Sequence, residues 1–159
     1  MRKPLVVPDE RQALERIASR CAKSELCEAD VRRKLAEWKQ CGDAADRIVE
    51  QLRAGGFIDD ARFCRAFVED KWRFNRWGKI KIRMALQQKN LRGPEVEEAL
   101  EDVDIDEYRE VLAALLQEKG RTLRDCSDYE RYQKLIRFAL GRGFETDIIK
   151  GCLSSEIES

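Results

Sequence analysis

The chain has no histidine among its 159 residues, and that absence thins the catalytic possibilities before any motif is sought. Histidine is the commonest general base near neutral pH. No G-x-x-x-x-G-K-[ST] phosphate loop, G-x-S-x-G elbow or G-x-G-x-x-G fingerprint occurs. None of the six cysteines (Cys21, Cys27, Cys41, Cys64, Cys126, Cys152) stands in a C-x-x-C pair. With histidine missing too, no zinc ligand set has usable spacing. No apolar run approaches the roughly 20 residues of a membrane span. The first residues, Met1 to Pro8, lack the apolar stretch of a secretory signal and read as a short extended tail. Net charge is also absent, with 31 basic residues against 31 acidic. These absences turn the reading toward a cytoplasmic binding protein with reduced thiols, many of them buried, and no metal or cofactor.

What is present is helical periodicity, from end to end. Ala13, Leu14, Ile17, Ala18 and Cys21 make one apolar stripe, and Val31, Leu35 and Trp38 the next. Ala45, Ile48, Val49 and Leu52 follow at i, i+3, i+4 and i+7. Phe63, Ala66 and Phe67 lead a fourth helix. Ile82, Ala85 and Leu86 mark a fifth, although the alternation Lys79-Ile80-Lys81-Ile82 is locally ambiguous. Val96, Ala99, Leu100 and Val103 mark a sixth, with Pro94 at its first position. Tyr108, Val111, Leu112, Leu115 and Leu116 line a seventh. Tyr132, Leu135, Ile136, Ala139 and Leu140 line an eighth, with Asp128 as its cap. Ile148, Ile149, Cys152 and Leu153 line the last.

The nine helices fall into three sets of three. Leu35 corresponds to Leu86 and Leu86 to Leu140, while Val96, Ala99 and Leu100 correspond to Ile149, Cys152 and Leu153. Periodicity of this size implies stacked units, each too small to bury its own apolar face. The expected fold is therefore all-α. A tail (1–8) is followed by three-helix repeats over 9–55, 56–103 and 104–159, forming an elongated, curved array of the right-handed type.

The segment Gly55-Gly56-Phe57-Ile58-Asp59-Asp60-Ala61-Arg62-Phe63 contains two adjacent acids that could pass for a catalytic pair. Capping accounts for them more simply. Glycine suits a left-handed helix end. Asp59 then stands at an N-cap, and Asp60 in the first turn, where negative charge suits the helix dipole. Ile58 and Phe63 take the two positions of a hydrophobic staple.

Charge is unevenly spread. From Lys71 to Arg92 there are eight basic residues and no acid, and from Glu95 to Glu110 nine acids and one arginine. From Lys119 to Arg142 there are seven basic residues and three acids. The first of these segments also carries Trp72, Phe74 and Trp77, and basic residues interleaved with aromatics suit an anionic polymer. A core role for the aromatics, with the cations on a solvated face, is the alternative. The acidic segment alongside argues against coating DNA over the whole length and allows a protein partner of mixed charge.

Gly56-Phe57-Ile58-Asp59-Asp60-Ala61-Arg62-Phe63 with Phe67-Val68, then Gly78-x-x-Lys81-Ile82-x-x-x-Leu86-x-x-Lys89-Asn90-Leu91, then Asp30-Val31-Arg32-Arg33-Lys34-Leu35, resemble motifs of the RecX family of RecA regulators. The resemblance spans roughly residues 12 to 155. There are departures. Asn90 stands for a glycine, Lys81 for an arginine, and Cys27 for a capping serine, which should weaken that helix start by about 1 kcal/mol.

The resemblance implies a non-enzymatic regulator, in most cases an inhibitor, lying in the groove of the RecA–DNA filament. Its partners would be the filament, single-stranded DNA first and double-stranded DNA second, and the protein itself would be a monomer. On charge, the contact strip is Lys71, Arg73, Arg76, Lys79, Lys81 and Arg83. Arg32, Arg33 and Lys34 in the first repeat, and Arg131, Lys134 and Arg137 in the third, are secondary. A free-standing helical DNA-binding protein and a scaffold for another protein stay open as alternatives.

Overall fold

The structure, a computed structural model, describes residues 6–158, and the side chains up to residue 154. Met1 to Leu5, most of the expected tail, lie outside the described residues. Nine α-helices and no strand occur among the described residues. They are α1 (Glu10–Lys23), α2 (Glu28–Glu37), α3 (Asp43–Ala54), α4 (Asp60–Arg73), α5 (Lys79–Gln88), α6 (Pro94–Glu101), α7 (Ile105–Gly120), α8 (Asp128–Gly141) and α9 (Thr146–Glu158). The locally ambiguous stretch around Ile80 is thus the first turn of α5. The closest helix pairs all lie within α1–α3, within α4–α6 or within α7–α9, hereafter units one to three.

Helix ends follow local chemistry. Asp59 caps α4, its carboxylate accepting the Arg62 N–H at 2.9 Å. The capping reading of this acid is therefore what the geometry shows. Asp9 and Gln12 form a reciprocal capping box on α1. On α8 the cap is Ser127, which accepts the Glu130 N–H at 3.2 Å, and Asp128 is the first helical residue instead of the cap. Cys27 does begin α2. Its N–H and thiol both turn to the Asp30 carboxylate, at 3.3 and 3.1 Å.

The middle helix of each unit ends in the same way. At α2, α5 and α8 the residue after the C-cap is left-handed: Lys39 (φ 58°), Asn90 (φ 62°) and Gly143 (φ 92°). In each case the next N–H returns to the carbonyl three positions inside the helix: Gln40 to Leu35, Leu91 to Leu86 and Phe144 to Ala139. This is the Schellman arrangement, and Gly56 repeats it after α3. The motif fixes the internal register. Leu86 corresponds to Ala139, not to Leu140. Ala139 is fully buried, whereas Leu140 is 44% exposed.

Two apolar clusters hold the array. The first gathers Ala13, Ile17, Val31, Leu35, Ile48, Leu52 and their neighbours, all from unit one, with Ile58 from the following connection. The second is continuous through units two and three and reaches back to Cys27 of α2. Ile58 and Phe63 are both buried but in different clusters, so the connection is pinned on both sides instead of being stapled to itself. In α4 the buried face is Phe63, Cys64, Val68 and Trp72, while Ala66 is exposed. The accessible surface is 10456 Å². A compact chain of 18.5 kDa exposes about 8,200 Å², and small units in a row leave more uncovered.

Units two and three meet backbone to backbone. Gly78, the N-cap of α5, donates to the Arg142 carbonyl at 2.8 Å, and Ile80 donates to the Gly143 carbonyl at 3.0 Å. A Cβ on Gly78 would overlap the Gly143 carbonyl group, and one on Gly143 would overlap Lys81. Gly56 is also left-handed, but no atom lies within 4 Å of where its Cβ would be. Gly56→Ala should therefore cost only the left-handed penalty of about 1–2 kcal/mol. Gly78→Ala, at ordinary φ, should cost about 3 kcal/mol or more through forced separation of the backbones. Urea unfolding of the two variants tests this ordering, and equal losses would contradict it.

Candidate nucleoprotein interface

The expected contact strip runs from the end of α4 into α5, and the structure sorts its six cations into two groups. Arg73 is ion-paired to Glu69 and, at 3.1 Å, to Glu107. Arg76 reaches Glu118 at 3.0 Å. Arg83 makes a two-pronged contact with Glu97, at 2.8 and 3.1 Å. That contact holds the Glu97 carboxyl below its ordinary range and pushes the Arg83 guanidinium further up. The acidic block is therefore folded onto the basic one, and three of the six charges are answered within the chain.

The lysines are placed differently. Lys81 lies over the Trp77 ring at 4.5 Å and Lys79 over Tyr108 at 5.3 Å. Neither has an ion-pair partner among the described residues. Lys71 contacts Trp77 at 5.2 Å and Phe67 at 5.3 Å, with Asp70 at 3.7 Å. Among the aromatics, Trp72 is core, 2% exposed, and donates its indole N–H to Glu69. It is unavailable for stacking. Trp77 is half-buried, and Phe74 stands out in solvent.

In unit one, Arg32 is clamped between Glu28 (3.1 Å) and Asp46 (2.9 Å). Lys34 pairs with Glu37 and lies over Trp38, which Arg16 and Arg20 also approach. Arg33 is largely exposed, with Asp30 at 3.8 Å. In unit three, Arg131 is structural. Its guanidinium donates to the carbonyls of Gly120 (2.6 Å) and Leu123 (3.2 Å), closing the end of α7. Lys134 and Arg137 are exposed, and with Lys119 they surround Leu123 and Phe138 in an open groove of about 340 Å³. No carboxylate lines this groove. Lys119 lies over the Phe138 ring at 5.5 Å, and Lys134 has the Cys126 sulfur at 3.3 Å. Lys119 was not singled out from charge, because only the α7–α8 turn brings it to the other two.

Two polar residues outside the expected contact set position these faces. Tyr108 is fully buried against Phe144, accepts the Lys79 N–H at 2.9 Å and donates to Glu145 at 2.5 Å. Burial, and then the Glu145 carboxylate, push its phenol well above the ordinary tyrosine range. Arg142 donates to the carbonyls of Asn75 and Arg76, holding the loop before α5 against the end of α8. A lone phenol in an apolar stripe was the available signal for Tyr108, and Arg142, beyond the last stripe residue Leu140, offered none.

No disulfide joins the cysteines among the described residues; Cys27 and Cys64 are buried and Cys41 is exposed. Burial pushes the Cys64 thiol up to about 11, so it stays protonated and unreactive near neutrality. No group of three or more Cys, Asp or Glu suited to a metal ion occurs among the described residues. No helix among them is long and apolar enough to cross a membrane.

The fold is that of an all-helical protein built of three-helix units. Family models for the second and third three-helix domains of RecX match residues 59–100 and 106–153. The regulatory protein RecX of Clostridium botulinum strain Eklund 17B is 33% identical over 82% of this chain and 61% of its own length. That of Clostridium tetani is 30% identical over 86% of the chain and 63% of its own length. The chain belongs to the RecX family. It spans about three fifths of the length of these curated relatives. Two crystal structures share the fold: a RecX with TM-score 0.83, at 21% identity over 91% of this chain and 73% of that one, and the RecX of Lactobacillus salivarius with TM-score 0.82, at 18% identity over 92% and 95%.

The same α-to-α joint recurs between units one and two, with other chemistry. There the C-cap of α5, Lys89, reaches Asp30 in the first turn of α2 at 2.7 Å. Arg62–Glu25 (2.6 Å) and Arg53–Asp60 (3.4 Å) stand beside it. Burial opposes the Asp30 charge, but hydrogen bonds from Lys89 and Cys27 hold its carboxyl below the ordinary aspartate value. A carboxyl depressed in the folded state contributes stability above its unfolded value, and that contribution is lost as pH falls through the folded one. Asp30→Asn should therefore cost about 2 kcal/mol at neutral pH, and its deficit should shrink below about pH 4. Urea unfolding of both proteins across that range measures it; a deficit independent of pH would show that the ionised form is not the source.

Proposed function

We propose that this chain is a non-enzymatic regulator that binds the RecA–DNA nucleoprotein filament and lowers its ATP hydrolysis, strand exchange and co-protease activity. Membership of the RecX family is the observation that carries the reading. The surfaces support it in detail. A filament groove presents phosphates and protein together, and this chain offers both unanswered cations and more exposed surface than a compact fold.

The charge geometry favours a subset of the cations for phosphate contact. Arg73, Arg76 and Arg83 are engaged by carboxylates, so a phosphate must displace an existing partner to reach them. Lys119, Lys134 and Arg137 have no carboxylate in their groove, and Lys79 and Lys81 have no ion-pair partner among the described residues. We assign the DNA contacts to Lys79, Lys119, Lys134 and Arg137, with the unit-three groove foremost. Arg32, Lys34 and Arg131 serve the fold. The three repeats act as one body along the filament, and no cofactor takes part.

The test is single-strand-DNA-dependent ATP hydrolysis by a cognate RecA, titrated with this protein below one molecule per recombinase subunit. The expected result is a fall in rate. Reversing Lys119, Lys134 and Arg137 together to glutamate should weaken suppression about tenfold or more. It should also lower the salt slope of binding by about 2, since each neutralised single-strand phosphate contributes about 0.7. Arg83→Gln should leave the salt slope unchanged. An unaltered hydrolysis rate with no filament binding would reject the reading. Tight duplex binding without recombinase would favour a free-standing DNA-binding protein instead.

A further inference from the structure

Three large exposed apolar side chains gather across the α5–α8 joint. Ile80 and Met84 lie one turn apart on α5, and Leu140 stands at the end of α8. With half-buried Trp77 they line one groove of about 380 Å³. Met84 is 57% exposed. The groove crosses the boundary between two units, so it exists only because the Gly78–Gly143 contact brings α5 and α8 together.

Its chemistry is selective. Lys81 is the one charged residue lining it, and no carboxylate does. A second ammonium, that of Lys71, lies over the Trp77 ring. At Gly141 the wall is bare backbone, and a Cβ built there meets nothing within 4 Å. Apolar walls, a cationic rim and a site of close backbone approach together suit an amphipathic helix laid into a groove.

We propose that this groove seats an amphipathic segment of the recombinase, whose apolar face carries two or more large side chains with a carboxylate placed against Lys81. The proposal rests on the filament-regulator reading and adds a protein-recognition site separate from the DNA-contacting groove of unit three, with which it shares no lining residue. Aliphatic and thioether walls do not provide the stacking platform that a nucleobase needs. A second copy of this chain is a poorer occupant. Its acidic stretch from Glu95 to Glu110 offers one large exposed apolar side chain, Ile105, and a groove with three exposed apolar groups calls for more.

Two substitutions probe the groove without touching the packed core. Met84→Glu places a carboxylate among the apolar walls, and Gly141→Gln fills open space at the end of a helix. Full-length protein, unsubstituted and in each variant, is titrated against cognate RecA filaments and, separately, against single-stranded DNA alone. Sedimentation and thermal melting are recorded alongside. Both variants should melt as the unsubstituted chain does and lose about tenfold or more in filament affinity, as expected when a central apolar contact is removed. Their affinity for DNA alone should be unchanged. Filament binding undiminished in both variants overturns the groove and leaves the regulator reading standing. No filament binding by the unsubstituted chain overturns both. An equal loss on DNA alone would make the groove a nucleic-acid site. A concentration-dependent dimer that Met84→Glu abolishes would make it a self-association face. Either result overturns the proposal.

Discussion

The hydrogen bonds between the last carbonyls of α8 and the first N–H groups of α5 are the contact on which the rest of the molecule depends. A helix N-terminus carries partial positive charge and unsatisfied donors, and it is normally answered by a capping side chain or an acid in the first turn. Helix α5 has neither. Its N-cap is glycine and its first turn holds Lys79 and Lys81. Carbonyls from the end of α8 supply what is missing, so opposite ends of two helix dipoles meet. Glycine is needed on both sides because a side chain on either would hold the backbones apart. Once they touch, Tyr108 can reach the Lys79 N–H and Phe144 can pack on its ring. The apolar interiors of units two and three thereby merge.

The joint between units one and two brings the corresponding helix ends together by a different route. Lys89 takes the place that Arg142 holds in the other joint, and Asp30 the place of Lys81. An ion pair thus joins helix ends whose counterparts in the other joint are held by two close glycine backbones. The packing follows suit. Unit one keeps an apolar cluster of its own, and beyond Cys27 and its neighbour Ala29 its link to the larger cluster is polar. One half of the array is joined by backbone and core, the other mainly by charge.

Much of this was legible in the residues. The apolar stripes located all nine helices, and Gly55-Gly56 with Asp59 announced a helix end and a helix start, because these features are local. The register of the third repeat was not legible. Ala139 and Leu140 are both apolar, and only the left-handed Gly143 shows which one is equivalent to Leu86. The intramolecular pairing of the basic segment was not legible either. Counting along the chain separated a basic segment from an acidic one, whereas folding sets Arg83 on Glu97 and Arg73 on Glu107. Trp72 and Trp77 look alike in sequence. One is core and the other borders a groove, since Trp72 continues the Cys64–Val68 stripe and Trp77 follows the end of that helix.

The separate apolar cluster of unit one also bears on how the polypeptide acquires its shape during synthesis. Every buried member of that cluster lies between Ala13 and Ile58, so its core is complete once Ile58 has left the ribosome. The larger cluster includes Leu153 and cannot close until that residue has emerged. Nascent chains therefore acquire structure in two unequal instalments, a small early one at the N-terminus and a large late one. Between them, the apolar faces of α4 to α6 wait for the helices of unit three, and that interval is when the chain is most exposed to aggregation and to chaperone capture.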